Sequence, residues 1–283
     1  VLDVTNNWQY SYLQNSSLIE KLIETGAGIT NSRNYEISRN LITEIHNQAQ
    51  GLTISKYQYT NDELGRRTQR IDTTVSVMTN DFGYNTRSEL TNAFIGAESF
   101  DWTFDNIGNR QTYTTNSTTY TYLANELNQY TNIANGTTNS PTYDLDGNTL
   151  TYQGWTLTWN GENRMTSASN GSTVVSFQYD YMGRRFSKVS EGVTTNLFYY
   201  DGWNLISELI SQASGLSTNY CIWGLDLSGS MHGIGGVGGL LGTCMNGNMY
   251  FAYTDGNGNV TAYTDVTGTN IIAHYVYGAY GEI

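Results

Sequence analysis

The chain has 283 residues and a formal net charge of −12, with 13 Lys and Arg against 25 Asp and Glu. The acidic balance argues against binding to nucleic-acid phosphates, and no run approaches the roughly 18 apolar residues that a membrane-spanning helix needs. The 23 Tyr, 30 Gly and abundant Thr and Asn favour β-strands over long helices, and the 13% aromatic content argues against disorder.

Residues 1–50 are predicted to be diverged β-repeats that lead into a more regular part of the chain. Leu18–Ile23 has some helical spacing, but two glycines follow closely, which favours strands. The first residues, Val1–Val4, are neither an initiator Met nor a signal peptide, and the last, Tyr280–Ile283, stop without a terminating element. We therefore expect the chain to be a piece of a longer protein.

From residue 51 onward one short unit recurs roughly every 15–25 residues. It consists of an aromatic residue, a free position, a second aromatic residue, Asp, two free positions, Gly, and then Arg or Asn. The clearest copies contain Tyr59, Asp62, Gly65 and Arg66; Phe104, Asp105 and Gly108; Tyr143, Asp144 and Gly147; Tyr179, Asp180, Gly183 and Arg184; and Tyr253, Asp255 and Gly258. Degenerate copies include Tyr84–Leu90, Tyr122–Asn128, Trp159–Arg164 and a copy at Tyr200 and Asp201.

Each position of this unit has a physical role in a β-hairpin. Aromatic residues two apart, such as Phe177 and Tyr179, lie on one face of a strand. Asp followed three residues later by Gly is typical of a type I turn, in which the carboxylate accepts backbone N–H groups and Gly takes a positive φ. The sequence therefore predicts a series of hairpins that present an aromatic stripe.

The hairpins have too little apolar content for two tightly packed sheets, so we expect one long antiparallel sheet of successive hairpins. Because sheets twist, such a sheet would curl or spiral into part of a hollow shell or barrel. A filled β-sandwich is the alternative, whereas the irregular spacing argues against a propeller. With residues 1–50 leading in, residues 51–283 are predicted to form one continuous structural unit.

Residues 223–242 interrupt the repeats with a Gly-rich insertion. Gly233–Gly238 fits G-x-G-x-x-G, but no strand before it, helix after it or downstream acid supports a dinucleotide site. We expect a flexible or tightly packed loop. Cys221 and Cys244 bracket the insertion, and either a disulfide or buried thiols are compatible with the sequence.

The sequence predicts no catalytic, cofactor-binding or metal-binding residue. Its three histidines, His46, His232 and His274, are isolated, and Asp255–Val266 lacks the Gly and Glu of a calcium loop. Most Asp residues are already explained by turns, which argues against a two-carboxylate glycosidase. The arginines that follow turn glycines are expected to pair with carboxylates or stack on aromatic rings, and they are Arg66, Arg67, Arg110, Arg184 and Arg185.

Two segments near the end add to the Tyr-Asp units. Trp223, Gly224, Leu225 and Asp226, with the glycines that follow, resemble the segment just before the core of bacterial Rhs proteins. Tyr275–Glu282 is similar to the last repeat that enters that core. The ordered set, which covers most of the chain from about residue 50, resembles the YD-repeat or Rhs-repeat family of bacterial polymorphic toxins, insecticidal toxin-complex shell components and teneurins.

The resemblance implies a bacterial, secreted or cell-surface shell that encloses or presents a C-terminal toxin or effector domain. The implied partners are that cargo domain and the rest of the shell, neither of which is within these 283 residues. Self-cleavage in the family belongs to a downstream core, and no residue here matches its motif, so we expect no enzymatic activity. The alternative is an extracellular adhesion or carbohydrate-binding module that recognises cell-surface glycans or proteins.

Overall fold

A computed structural model describes residues 7–282, and within them the chain is all β-structure with no helix. Twenty-six strands form two antiparallel sheets of 13 strands each. The interpretation of Val1–Val4 as an internal start lies outside the described residues. Residues 17–50, for which strands were favoured over a helix, form three strands joined by turns and contain no helix, as predicted.

The first sheet contains β1 (Trp8–Tyr12), β2 (Ile19–Glu24), β3 (Ile29–Tyr35), β4 (Ile42–Ala49), β5 (Leu52–Asn61), β6 (Arg67–Thr73), β7 (Val77–Tyr84), β8 (Leu90–Ile95), β9 (Glu98–Phe104), β10 (Arg110–Thr115), β11 (Thr118–Ala124), β12 (Tyr130–Ala134) and β13 (Thr138–Asn139). The second contains β14 (Thr142–Tyr143), β15 (Thr149–Tyr152), β16 (Trp155–Trp159), β17 (Met165–Asn170), β18 (Thr173–Tyr179), β19 (Arg185–Ser190), β20 (Thr194–Asp201), β21 (Asn204–Gln212), β22 (Gly215–Trp223), β23 (Leu240–Met245), β24 (Asn248–Thr254), β25 (Val260–Thr264) and β26 (Ile271–His274).

In both sheets the order of strands in space follows their order in the chain, which confirms the predicted array of successive hairpins. The expected single sheet is nevertheless divided in two between β13 and β14. Pro141 lies at this division, and its ring removes the backbone N–H that a continuing ladder would use. Neither sheet closes on itself, since each order has two distinct ends.

The chain forms two compact units. Among the described residues, the first comprises 7–82, Tyr200–Ser207 and 218–282, and the second comprises Gly83–Tyr199 and Glu208–Ser217. In the first unit, β3, β4 and β5 pack against β24 and β25 through a buried cluster of Ile29, Ala49, Ile54, Met249, Phe251, Tyr253 and Ala262. The expectation that apolar content is too low for packed sheets is therefore wrong for this unit, because its strands concentrate Ile, Phe and Ala on one face.

The second unit agrees better with that expectation. Its aromatic stripe forms a stack of rings on β9, β10 and β11, in which Phe100, Trp102 and Tyr113 are within 7° of parallel and 5.8–6.5 Å apart. Tyr120 continues the stack at 5.7 Å from Tyr113. Along β18, half-buried and exposed residues alternate strictly, as expected for a sheet with two different faces.

Candidate functional site: the repeat turns and the sheet junction

The Tyr-Asp unit builds a five-residue turn whose geometry is clearest at Asp144. One carboxylate oxygen, Oδ1, accepts the backbone N–H groups of Asp146 (3.0 Å) and Asn148 (2.8 Å). The other oxygen, Oδ2, accepts the side-chain amide of Asn148 at 2.9 Å. Gly147 occupies the fourth position with a φ of 89°, where a left-handed backbone favours glycine. One carboxylate thus satisfies three donors of its own turn.

The same turn recurs in the clear and in most degenerate copies. In each turn the first residue donates its N–H to the carbonyl of the fifth, and its own carbonyl accepts from the fourth. The fourth residue always has a positive φ. It is glycine in the clear copies. In the degenerate copies it is Asn, which tolerates this backbone better than most residues, at Asn128 and Asn163, and Ser at Ser88. The turns begin at Asp62, Asn85, Asp105, Asn125, Asp144, Asn160, Asp180, Asp226 and Asp255.

In seven of these nine turns the side chains of the first and fifth residues pair as acceptor and donor, the exceptions being the turns at Asn160 and Asp226. Where the first residue of a paired turn is Asp, the fifth is the donor, as in the ion pair from Arg184 to Asp180 at 2.7 Å. Where the first is Asn, its amide donates to an acceptor in two turns, as from Asn125 to the Gln129 carbonyl at 2.9 Å. The first pattern recurs in three more turns, which pair Asp62 with Arg66, Asp105 with Asn109 and Asp255 with Asn259. The second pattern recurs between Asn85 and Glu89.

Five Tyr and Trp side chains tie one repeat to the repeat before it. Each donates its side-chain O–H or N–H at 2.7–3.0 Å to a backbone carbonyl 10–18 residues earlier, which in four cases is the first carbonyl after a five-residue turn. Tyr and Trp can make this bond and Phe cannot. Sequence reasoning treated the aromatic residues only as a stripe, although their preference for Tyr and Trp was a usable signal. The bonds run from Tyr143 to Tyr130, Trp159 to Thr149, Tyr179 to Met165, Trp223 to Leu205 and Tyr277 to Val260.

Replacing Asp144 with Ala should lower the melting temperature by a few degrees, because three donors lose their acceptor. The side-chain hydrogen bond from Asn148 is the main reason that the pKa of Asp144 lies below its usual value. Asp146→Ala is the matched control, since it removes an equal charge from the same turn. Asp146 takes part in the turn only through its backbone N–H, which the substitution leaves in place. Thermal unfolding followed by circular dichroism measures both, and equal losses would contradict this role of Asp144.

A double variant tests the matching of first and fifth residues. Asp144→Asn combined with Asn148→Gln reproduces the pair found at Asn125 and Gln129. We expect the double variant to unfold at a higher temperature than Asp144→Asn alone, because two amide donors no longer face each other. A purely additive loss in the double-mutant cycle would show that the pairing has no energetic role.

Tyr59, the aromatic residue of the first clear copy, lies at the junction between the two sheets in the first unit. Its hydroxyl oxygen accepts the N–H of Gly256 at 2.7 Å, and the side chain is 6% exposed. The guanidinium of Arg67 stacks 3.9 Å above the ring and hydrogen bonds with Asn257. A Cβ on Gly256 would lie 2.9 Å from the Tyr59 ring, so only glycine fits. Burial raises the pKa of Tyr59 far above its usual value.

Tyr59→Phe should lower the free energy of unfolding by about 1–3 kcal/mol, because the buried N–H of Gly256 loses its acceptor. The matched control is Tyr181→Phe, since the Tyr181 side chain is 92% exposed. Urea unfolding should show a lower midpoint for Tyr59→Phe and no change for the control. Identical midpoints for both variants would contradict the assigned hydrogen bond.

The protein should lose stability as the pH rises above about 10. Burial raises the pKa of Tyr253 and of Tyr263 to about 12, against an ordinary value of 10.0. In the unfolded chain these hydroxyls ionise near pH 10, so the stability that they contribute is complete below pH 10 and is lost as the pH rises through about 12. Urea midpoints across this range, with tyrosinate absorbance recorded in parallel, measure the effect. A midpoint that stays constant to pH 12 would contradict it.

The Gly-rich insertion is a tightly packed loop organised by Asp226. This carboxylate is fully buried and accepts the N–H groups of Ser228, Ile234 and Gly236 as well as the Ser228 hydroxyl. Burial alone would raise the pKa of Asp226, but these hydrogen bonds outweigh it and lower the pKa. Gly224 lies against the Tyr10 hydroxyl, which a Cβ would approach to 2.2 Å. No helix follows Gly233–Gly238, which fits the packed-loop expectation.

One repeat copy differs from the expected turn, and the structure also decides the state of the two cysteines, which the sequence left open. The unit at Tyr200 and Asp201 does not form the five-residue turn, because β20 continues through Asp201 and a two-residue turn leads directly into β21. Cys221 and Cys244 form no disulfide. In the register of β22 and β23, Cys244 lies opposite Tyr220, so the two thiols point to opposite faces of the sheet.

The arginines behave as expected. Arg66 and Arg184 form ion pairs with the first residue of their turns, while Arg110 lies over Tyr113 and Arg185 over Phe177. Across residues 7–282 no group of three or more His, Cys, Asp or Glu side chains is placed to hold a metal ion. Nor does any described helix have the length and apolar character needed to cross a membrane.

A buried polar cluster lies beside the junction. Arg70 and Asp72 form a two-fold ion pair at 2.7 and 2.9 Å, and Asn80 donates to the same carboxylate at 3.0 Å. All three residues are at most 7% exposed. Burial is the main influence on Asp72 and raises the pKa of its carboxyl, although the charge of Arg70 opposes this. Arg70 and Asp72, together with Asp255, line a cavity of about 20 Å³, which has room for a single water molecule.

Comparison with known proteins supports the repeat resemblance at the level of fold. No family model matches the chain. Over 186 residues, or 64% of this chain, the sequence is 27% identical to the tRNA3(Ser)-specific nuclease WapA of Bacillus spizizenii, and the match covers 7% of that protein.

Among solved structures, the chain is similar to the TcdB2–TccC3 protein, with a TM-score of 0.63 and 16% identity over 97% of this chain and 16% of that chain. It is also similar to the Tc holotoxin pore of Photorhabdus luminescens, with a TM-score of 0.53 and 13% identity over 98% of this chain and 18% of that chain. At these identities the likeness concerns the fold alone. The protein thus has a β-repeat scaffold of the kind found in Tc toxins, and it spans less than a fifth of those chains.

Proposed function

We propose that this chain is a wall segment of a bacterial Rhs or YD-repeat shell, and that it precedes the Rhs core of a longer polypeptide. The shell encloses or presents a C-terminal toxin or effector domain and is secreted or held at the cell surface. The chain's own role is structural and non-enzymatic.

One observation carries the proposal: successive hairpins cover residues 7–282, and the same fold forms 16% of the TcdB2–TccC3 chain. The arrangement is therefore found as one part of a much larger protein. The repeat turns support the same role, because five Tyr or Trp side chains each link one repeat to the repeat before it by a hydrogen bond. Such nearest-neighbour links suit a structure that extends by repetition.

Limited proteolysis of the full-length gene product tests the proposal. The C-terminal domain should be cleaved much more slowly within the full-length protein than when it is expressed alone, because a wall excludes the protease. The isolated domain is the matched control, and mass spectrometry identifies the cleavage sites. Equal cleavage rates in the two contexts would contradict encapsulation.

A further inference from the structure

Arg33, on β3 in the first unit, is a buried cation without a charged partner. The residue is 6% exposed, and its Nε donates to the side-chain oxygen of Asn31 at 3.1 Å. Its positive charge lies beside the hydroxyl of Tyr35. Within residues 7–282 no carboxylate oxygen lies within 4.0 Å of its guanidinium. Arg70, which is buried to a similar extent, has the two-fold ion pair with Asp72.

Arg33 lines a cavity of about 210 Å³ in the same unit. One side of the cavity is formed by β2, β3 and β4, and the Gly-rich loop forms the other side through Leu227, Ser228 and Gly229. Ile19 and Ile42 supply apolar surface next to the charge. The cavity therefore combines one buried cation with walls that suit a short hydrocarbon chain.

No Asp or Glu is among the described residues that line this cavity, and two acids on the elements that form it have other partners. Asp226 accepts hydrogen bonds from Ser228, Ile234 and Gly236 within the loop. Glu24 accepts the backbone N–H groups of Gly26 and Ala27. A buried guanidinium is costly unless an anion or water satisfies its donors, and its planar fork matches a carboxylate with two parallel hydrogen bonds.

From this juxtaposition we infer that the Arg33 cavity is a binding site for a carboxylate carried on a short aliphatic chain. The volume is below the roughly 300–1,000 Å³ of most ligand pockets, so the occupant is a small organic acid or a single acidic side chain. The carboxylate pairs with Arg33, and the methylene groups contact Ile19, Ile42 and Leu227. The inference goes beyond the proposed shell function and does not depend on it.

Titration of the full 283-residue chain with sodium butyrate tests the site. Nitrogen-15 NMR should show a saturable shift of the Arg33 Nε–H signal, and the melting temperature should rise with butyrate but not with sodium chloride at equal ionic strength. N-acetylglutamate methylamide, tested in the same way, distinguishes the sources. Tighter binding than butyrate indicates an acidic side chain of a polypeptide, and weaker binding indicates a free acid.

Two variants make the test specific. Arg33→Met should fold, because an apolar residue of similar length replaces a buried unpaired charge, and should weaken butyrate binding by about tenfold or more. Arg87→Met, which removes an exposed guanidinium of the second unit, is the control and should bind as the wild type does. Equal binding by Arg33→Met and the wild type, or no saturable shift up to about 50 mM butyrate, would overturn the inference.

Discussion

Asp72→Ala is expected to lower the free energy of unfolding by about 3–5 kcal/mol, because it leaves the buried Arg70 guanidinium without its counter-charge. The loss arises from the stranded cation more than from the attraction between the two groups. Replacing both partners, as Arg70→Met with Asp72→Leu, should therefore recover most of the stability. Urea unfolding of the three proteins provides the comparison.

The control for this prediction is Glu162→Ala. Glu162 also pairs with an arginine, Arg164, but its side chain is 66% exposed. Removing an exposed partner changes stability by about 0–1 kcal/mol. A double variant as unstable as Asp72→Ala would show that the ion pair itself, or the donor from Asn80, stabilises the junction.

Phe251→Ala should cost about 3–5 kcal/mol, because the ring is 2% exposed at the centre of the cluster that joins the two sheets in the first unit. Trp8 packs edge-on against the ring at 6.1 Å between centroids and would lose that contact. Tryptophan fluorescence should therefore report the change together with urea unfolding.

Phe94→Ala is the matched control, since Phe94 is 50% exposed on β8 in the second unit. We expect this variant to stay within about 0.5 kcal/mol of the wild type. If Phe251→Ala were equally mild, the packed cluster would not be what holds β24 against the first sheet.

Local features of the fold were predictable from the sequence. The turn at Asp144 is written in consecutive residues, so the carboxylate acceptor and the left-handed position of Gly147 follow from short-range chemistry. The all-β fold and the order of the hairpins follow from repeating that turn. The division into two sheets was harder to predict from the sequence, because it depends on recognising that one residue, Pro141, ends a ladder of backbone hydrogen bonds.

Contacts between distant residues could not be predicted. Tyr59 and Gly256 are separated by 197 positions, and nothing in either repeat identifies the other as its partner. The opposite orientations of Cys221 and Cys244 depend on the register of β22 and β23, which a Gly-rich loop does not specify. Arg33 likewise lies in the least regular part of the sequence. Its lack of a charged partner is visible only in the folded structure, where β3 and the Gly-rich loop come together.

The most direct test of the account is a cryo-electron-microscopy structure of the full-length gene product. The proposed function predicts that strands from the rest of the polypeptide extend the sheets of this segment and that the C-terminal domain lies inside the resulting wall. A C-terminal domain located outside the β-structure, fully accessible to solvent, would contradict the shell function while leaving the turns and the sheet junction unchanged.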